Sequence, residues 1–148
     1  GTYILQDAQL HFLEKVESDQ FLLNSLLHTL VKNEQYAFLR PIYDFVLNNK
    51  IDSLNKKLIV INYCIGLKKQ GKDTVHIEKV LAQEDWSIKK DDFEMCKAAL
   101  LDKHENFYYF LDKLIQSKLV TMEEIKQWEI FYFYKDKPKF KTLIKKIK

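Results

Sequence analysis

Three glycines (Gly1, Gly66, Gly71) and two prolines (Pro41, Pro138) are all the turn-forming punctuation that this 148-residue chain contains. Hairpins and sandwiches turn every few residues, drawing on glycine for positive φ and on proline for a fixed φ. A chain so short of both has little means of building a sheet. Helices need a break only at their ends, so an all-α fold is the economical solution. The composition, 47% hydrophobic and 30% charged, is globular rather than disordered. A chain of this length can bury about two thirds of its unfolded surface. One domain over residues 1–148 is therefore expected.

Apolar residues recur at helical spacing almost throughout. Ile4, Leu5, Ala8, Phe12, Leu13 and Val16 predict a first helix. Phe21 to Leu30 predicts a second, capped by Ser18 or Asp19. Glu34 to Asn48 predicts a third, in which Pro41 must kink the helix or begin a fresh one. Ser53 reads as the cap of a helix over 54–70 that stops at Gly71, since glycine adopts the left-handed conformation at no steric cost. Further helices are expected over 74–83, after Trp86 (with Phe93, Cys96, Ala99 and Leu100) and over 106–117. Thr121 and Glu124 have the spacing of a capping box. They open a helix expected to bear Ile125, Trp128 and Phe131. Pro138 suits the first position of a terminal helix. The acid pairs Asp91/Asp92 and Glu123/Glu124 fall at helix starts, where negative charge offsets the dipole.

Several chemistries can be weighed on these residues. The run Gly66-Leu-Lys-Lys-Gln-Gly71-Lys72 matches the start of a phosphate-binding P-loop, but Asp73 stands where the motif needs a hydroxyl to hold magnesium. The same residues continue a helix smoothly into a glycine stop, and that reading wins. His11, His28, His76 and His104 form no i, i+4 couple of the kind that holds a metal on a helix. Cys64 and Cys96, with no CxxC spacing, read as buried reduced thiols; nothing orients a Cys96–His104 dyad. Compact helical RNA-cleaving toxins carry an arginine followed closely by histidine, and Arg40 has none in reach. No catalytic residue, metal or cofactor is expected.

Arg40 is also the sole arginine among 24 basic residues. Lysine is a poor substitute for the planar guanidinium fork that grips phosphates and guanine edges. The net charge of +3 adds little to a nucleic-acid reading. Against this, Lys135, Lys137, Lys139, Lys141, Lys145, Lys146 and Lys148 make the C-terminus densely positive. A lysine-rich helical nucleic-acid-binding protein is thus the alternative function. The longest apolar stretch, residues 58–65, is far short of the ~20 needed to span a bilayer. With no signal pattern at the start, a cytoplasmic protein without membrane association is expected.

A weak internal period is visible: LIVINYCIGLKKQGKDTVHIEKVL and FEMCKAALLDKHENFYYFLDKLI share the plan of apolar helix, polar turn, apolar helix, at a spacing of about 30–35 residues. The LKKQGKD turn followed by VHIEKVL resembles a tetratricopeptide-repeat (TPR) helix pair. DWSIKKDDFEMCKAALLDKHENFYYFLDKLI is similar to degenerate TPR-like pairs, and WEIFYFYKDKPKFKTLI resembles the aromatic ending that closes such arrays. The resemblance covers roughly residues 54–147, while residues 1–50 carry helical patterning without a repeat. His76 and Phe107 stand where the family takes a small residue. The resemblance implies antiparallel helix pairs stacked as a short right-handed solenoid. It also implies a non-enzymatic module that binds a protein or peptide, of the kind attached to bacterial effector and defence systems. Such modules bind through the first helix of each pair, which makes Asn62, Lys68, Lys69, Trp128 and Tyr132 the candidate binding residues. Packing of the terminal helix over the aromatic block 128–134 is favoured over exposure of those rings to a partner.

Overall fold

A computed structural model describes residues 20–148; the helix expected over residues 4–16 and His11 lie outside the described residues. Among the described residues all regular structure is helical, with eight α-helices, two 3-10 segments and no strand. The chain divides into two compact units, Gly1–Gly66 and Leu67–Lys148.

In the first unit, α1 (Gln20–Lys32) buries Leu23, Leu27 and Val31, one residue per turn along a single stripe. A 3-10 turn, Tyr36–Phe38, leads into α2 (Leu39–Leu47), which buries Leu39, Ile42, Tyr43 and Val46. Of the two options that Pro41 left open, the chain takes the fresh start. Pro41 is the third residue of α2, inside the first turn, where a backbone N–H has no partner to lose. In α3 (Ser53–Lys69), Ile59, Val60, Ile61, Cys64 and Ile65 are all buried, so the helix is apolar on nearly every side. Its cap differs from the sequence expectation. Ser53 is already helical, and the Asp52 carboxylate accepts the Asn55 N–H at 3.4 Å and its amide at 3.0 Å. Tyr43 stacks on Tyr63 with ring centroids 4.1 Å apart. Gly66 lets α3 approach Leu39 and Val31 more closely than any Cβ would permit.

The second unit holds the last turn of α3, then α4 (Thr74–Leu81), α5 (Asp91–Leu100), α6 (His104–Gln116), α7 (Met122–Gln127), a 3-10 segment (Glu129–Phe133) and α8 (Pro138–Ile144). Asp73, the residue that spoils the P-loop motif, caps α4 by accepting the His76 N–H at 2.8 Å. Asp91 and Asp92 lie in the first turn of α5, and Glu123 and Glu124 in that of α7, as their spacing predicts. A tight turn joins α5 to α6, and this hairpin is the most extensively packed helix pair of the described residues. Phe107 is fully buried at its base and stacks on Tyr134 at 3.8 Å, with Phe131 and Phe140 closing the cluster. The Tyr134 hydroxyl reaches His104 Nδ1 at 2.7 Å. Pro138 opens α8 as expected, and α8 turns Phe140 and Leu143 inward.

Four helix ends share one geometry. After α1, α3, α5 and α6, a residue of positive φ (Glu34, Gly71, Asp102 and Lys118) is followed by a backbone N–H that reaches back five residues: Gln35 to Leu30, Lys72 to Leu67, Lys103 to Ala98 and Leu119 to Leu114. These are Schellman turns, which satisfy carbonyls the helix end would otherwise strand. Only one of the four uses glycine.

Candidate functional site

Apolar side chains and lysines come together around a groove lined from α7, the 3-10 segment and α8. The α7 start is fixed by the expected capping box: the Thr121 hydroxyl accepts the Glu124 N–H and the Glu124 carboxylate accepts the Thr121 N–H, both at 3.2 Å. That places Met122 at the first helical position, one third exposed. The helix does not run on through the aromatic block as its periodicity suggests. It ends at Gln127, Trp128 is extended, and the chain tightens into the 3-10 segment. Trp128 and Phe131 are therefore not on one α-helical face. Phe131 and Tyr134 turn into the core, Trp128 and Phe133 are half-buried, and Tyr132 is 44% exposed.

The reason for the tightening lies in tertiary contacts. Glu129 receives Lys69 Nζ at 2.9 Å, with the two side chains only 14% and 5% exposed. Lys69 Nζ also sits 4.5 Å from the Tyr132 ring centroid, and Lys135 Nζ sits 4.4 Å from it. One residue earlier, Lys68 Nζ donates to Asp102 Oδ1 at 2.7 Å and lies 5.3 Å from the Phe133 ring. A buried ion pair with a ring beside it is a positional fastener: each charge is costly to leave alone, so the geometry is specific.

Among the described residues, three grooves open around α8 and the residues that follow it. The first, of about 460 Å³, has an apolar floor that includes Met122, Ile125, Trp128 and Ile144, with Lys126, Tyr132 and Lys135 on its rim. The second, of about 490 Å³, shares Met122 with the first and is lined by Ile115, Val120 and Ile147 together with Lys118, Lys146 and Lys148. The third, of about 590 Å³, lies between α6 and α8, with Tyr108, Tyr109 and Leu143 facing Lys139 and Lys146. Carboxylates of Glu105 and Asp112 also line it. Asp112 Oδ2 accepts from Gln116 at 2.8 Å, and Lys146 Nζ is 3.6 Å from Oδ1.

Of the five candidate binding residues, Trp128 and Tyr132 line the first groove, and Lys69 sits beneath Tyr132. Lys68 anchors the turn at Asp102. Asn62 belongs to the first unit, where it is buried and donates to Asn24 Oδ1 at 2.7 Å. Sequence spacing alone did not mark Met122 and Lys126, whereas Lys135 belongs to the C-terminal lysine run. Nothing in its spacing marks Met122 as exposed, since it stands three residues before the buried Ile125, where an inward-facing residue would also stand.

The reactive side chains are placed for packing. Cys64 and Cys96 are free and buried. Burial pushes the Cys64 thiol up to about 12, and burial with the nearby Asp92 charge pushes Cys96 well above its ordinary value. No group of His, Cys, Asp and Glu among the described residues is arranged to hold a metal ion, and none of their helices is long and apolar enough to cross a membrane. Comparison of the chain with protein-family models, with curated proteins and with solved structures finds no match.

Proposed function

We propose that this chain is a non-catalytic, TPR-like interaction module that binds another protein through the α7–α8 face. The observation that carries this reading is the pair of adjoining grooves sharing Met122, with an apolar floor and a lysine rim. An apolar centre ringed by polar groups is the usual anatomy of a protein interface. Half-buried Trp and Tyr beside it are the residue types that most often anchor one. The polar groups deepest in the face are engaged with each other, as Lys69 and Glu129 are, which suits a preformed docking surface better than a reacting centre. The resemblance to degenerate TPR pairs extends the reading to a sensing or partner-binding part of a bacterial effector or defence protein.

The test is affinity purification from the native host, with and without nuclease, comparing the wild type with a Trp128→Ala/Tyr132→Ala variant. A protein partner that survives nuclease and is lost from the variant is the expected result. Co-purification of RNA or DNA alone, with retention falling steeply as salt rises, would replace this reading with the lysine-driven nucleic-acid one. The seven lysines of residues 135–148 favour that second reading.

A further inference from the structure

Resting on the reading just given, we infer that the occupant of the joined α7–α8 grooves is an acidic amphipathic segment of a partner protein, apolar side chains in the grooves and carboxylates against the lysine rim. Charge decides this. Lys118, Lys126, Lys135, Lys146 and Lys148 line the two grooves, whereas Glu129 is the sole carboxylate among their linings, and Lys69 neutralises it at 2.9 Å. Lys118, Lys126, Lys135 and Lys148 make no ion pair within the described residues, and Lys146 makes only a long one to Asp112 at 3.6 Å. Five cations around an apolar floor repel one another, and an anionic occupant that also carries apolar side chains relieves this while filling the floor.

Two other polyanions fit less well. A nucleic acid would need exposed ring faces to stack its bases. Tyr132 already carries two ammonium groups at 4.5 and 4.4 Å, and Trp128 packs edge-on against Phe131 at 5.9 Å. An anionic membrane would need an amphipathic helix with its apolar side turned outward. The apolar side chains Phe140 and Leu143 of α8 are instead buried. An amphipathic peptide helix presents residues i, i+3, i+4 and i+7 to a groove, and successive turns can address two grooves that meet at Met122.

A random peptide library displayed on phage and selected against the full chain tests this. Enriched sequences should be acidic, with apolar residues at helical spacing. A synthetic peptide from that set should bind in fluorescence anisotropy with affinity that falls as salt rises. Met122→Glu and Lys126→Glu/Lys135→Glu should each weaken it by about tenfold or more without altering the thermal melt. The lysine-reversed variant should in turn gain affinity for the same peptide with its carboxylates exchanged for lysines. Enrichment of neutral or basic sequences, or acidic peptides indifferent to both variants, would overturn the acidic occupant and leave the interaction module standing. Variant-sensitive binding of a single-stranded RNA or of phosphatidylserine vesicles where acidic peptides fail would overturn both the acidic occupant and the protein-interaction reading. Enrichment of no peptide at all would sink the module reading too.

Discussion

Glu34, Asp102 and Lys118 hold left-handed backbone conformations, with φ of 58–59°, that glycine would adopt without strain. Each terminates a helix by the same hydrogen bonds that Gly71 makes after α3. A non-glycine residue there costs about 1–2 kcal/mol in contact between Cβ and the backbone, partly offset by the smaller entropy its unfolded chain loses. Glu34→Gly should therefore stabilise the protein by about 0.5–1 kcal/mol, whereas Gly71→Ala should cost about 1 kcal/mol although no atom lies within 4 Å of the added methyl. Paired urea titrations measure both, and equal shifts in the same direction would refute the account. The thiols make a second residue-scale prediction. Burial raises Cys64 from an ordinary 9.0 to about 12 and Cys96 well above its ordinary value, so the folded state keeps protons that the unfolded state releases. Stability should be unaffected below pH 9, then fall by up to about 1.4 kcal/mol per pH unit per thiol until the folded value is reached. Cys64→Ala/Cys96→Ala should flatten that alkaline limb, read by denaturant melts across pH.

At the scale of elements, the segment after α7 shows how a tertiary contact overrides a local pattern. Residues 122–134 have the periodicity of one helix, but Lys69 draws Glu129 into a nearly buried ion pair and the backbone tightens into a 3-10 segment. Removing one charge leaves the other poorly solvated, while removing both leaves an apolar contact. Glu129→Gln should cost roughly 2–3 kcal/mol, and Lys69→Met/Glu129→Leu should recover most of it, a coupling of about 2 kcal/mol in a double-mutant cycle. Additive losses would mean that the ion pair holds nothing in place. The cap of α7 is more modest: Thr121→Ala should cost about 1 kcal/mol by chemical denaturation, because one N–H of the first turn loses its acceptor.

On the scale of the whole molecule, stability in the second unit concentrates in the aromatic cluster around Phe107. Its ring is stacked on Tyr134 and flanked by Phe131 and Phe140, contributed by α6, the 3-10 segment and its following turn, and α8. Phe107→Ala should cost about 3–5 kcal/mol, lowering the melting temperature by on the order of 10 °C. A loss near that of an exposed ring such as Tyr109→Ala would show that the cluster is not the core. The TPR-like pattern asks for a small side chain at this position. Here the bulky ring is fully buried and packs against Tyr134, Phe131 and Phe140.

The helical class, the capping box at Thr121, the proline start of α8 and the acids at helix starts are local matters. Each depends on hydrogen bonds or electrostatics within about one turn of chain, so neighbouring residues suffice to specify them, and sequence alone determined them. The cap at Asp52 was missed by one residue for the same local reason, since Asp and Ser serve equally well as caps. Three of the four Schellman stops were hidden because Glu, Asp and Lys do not advertise positive φ. The end of α7, the burial of Lys69 and the meeting of Met122, Trp128 and the lysines in one trough join residues far apart in the chain. Those were decided only by tertiary packing, because what a side chain costs or contributes there is set by neighbours that sequence spacing does not identify.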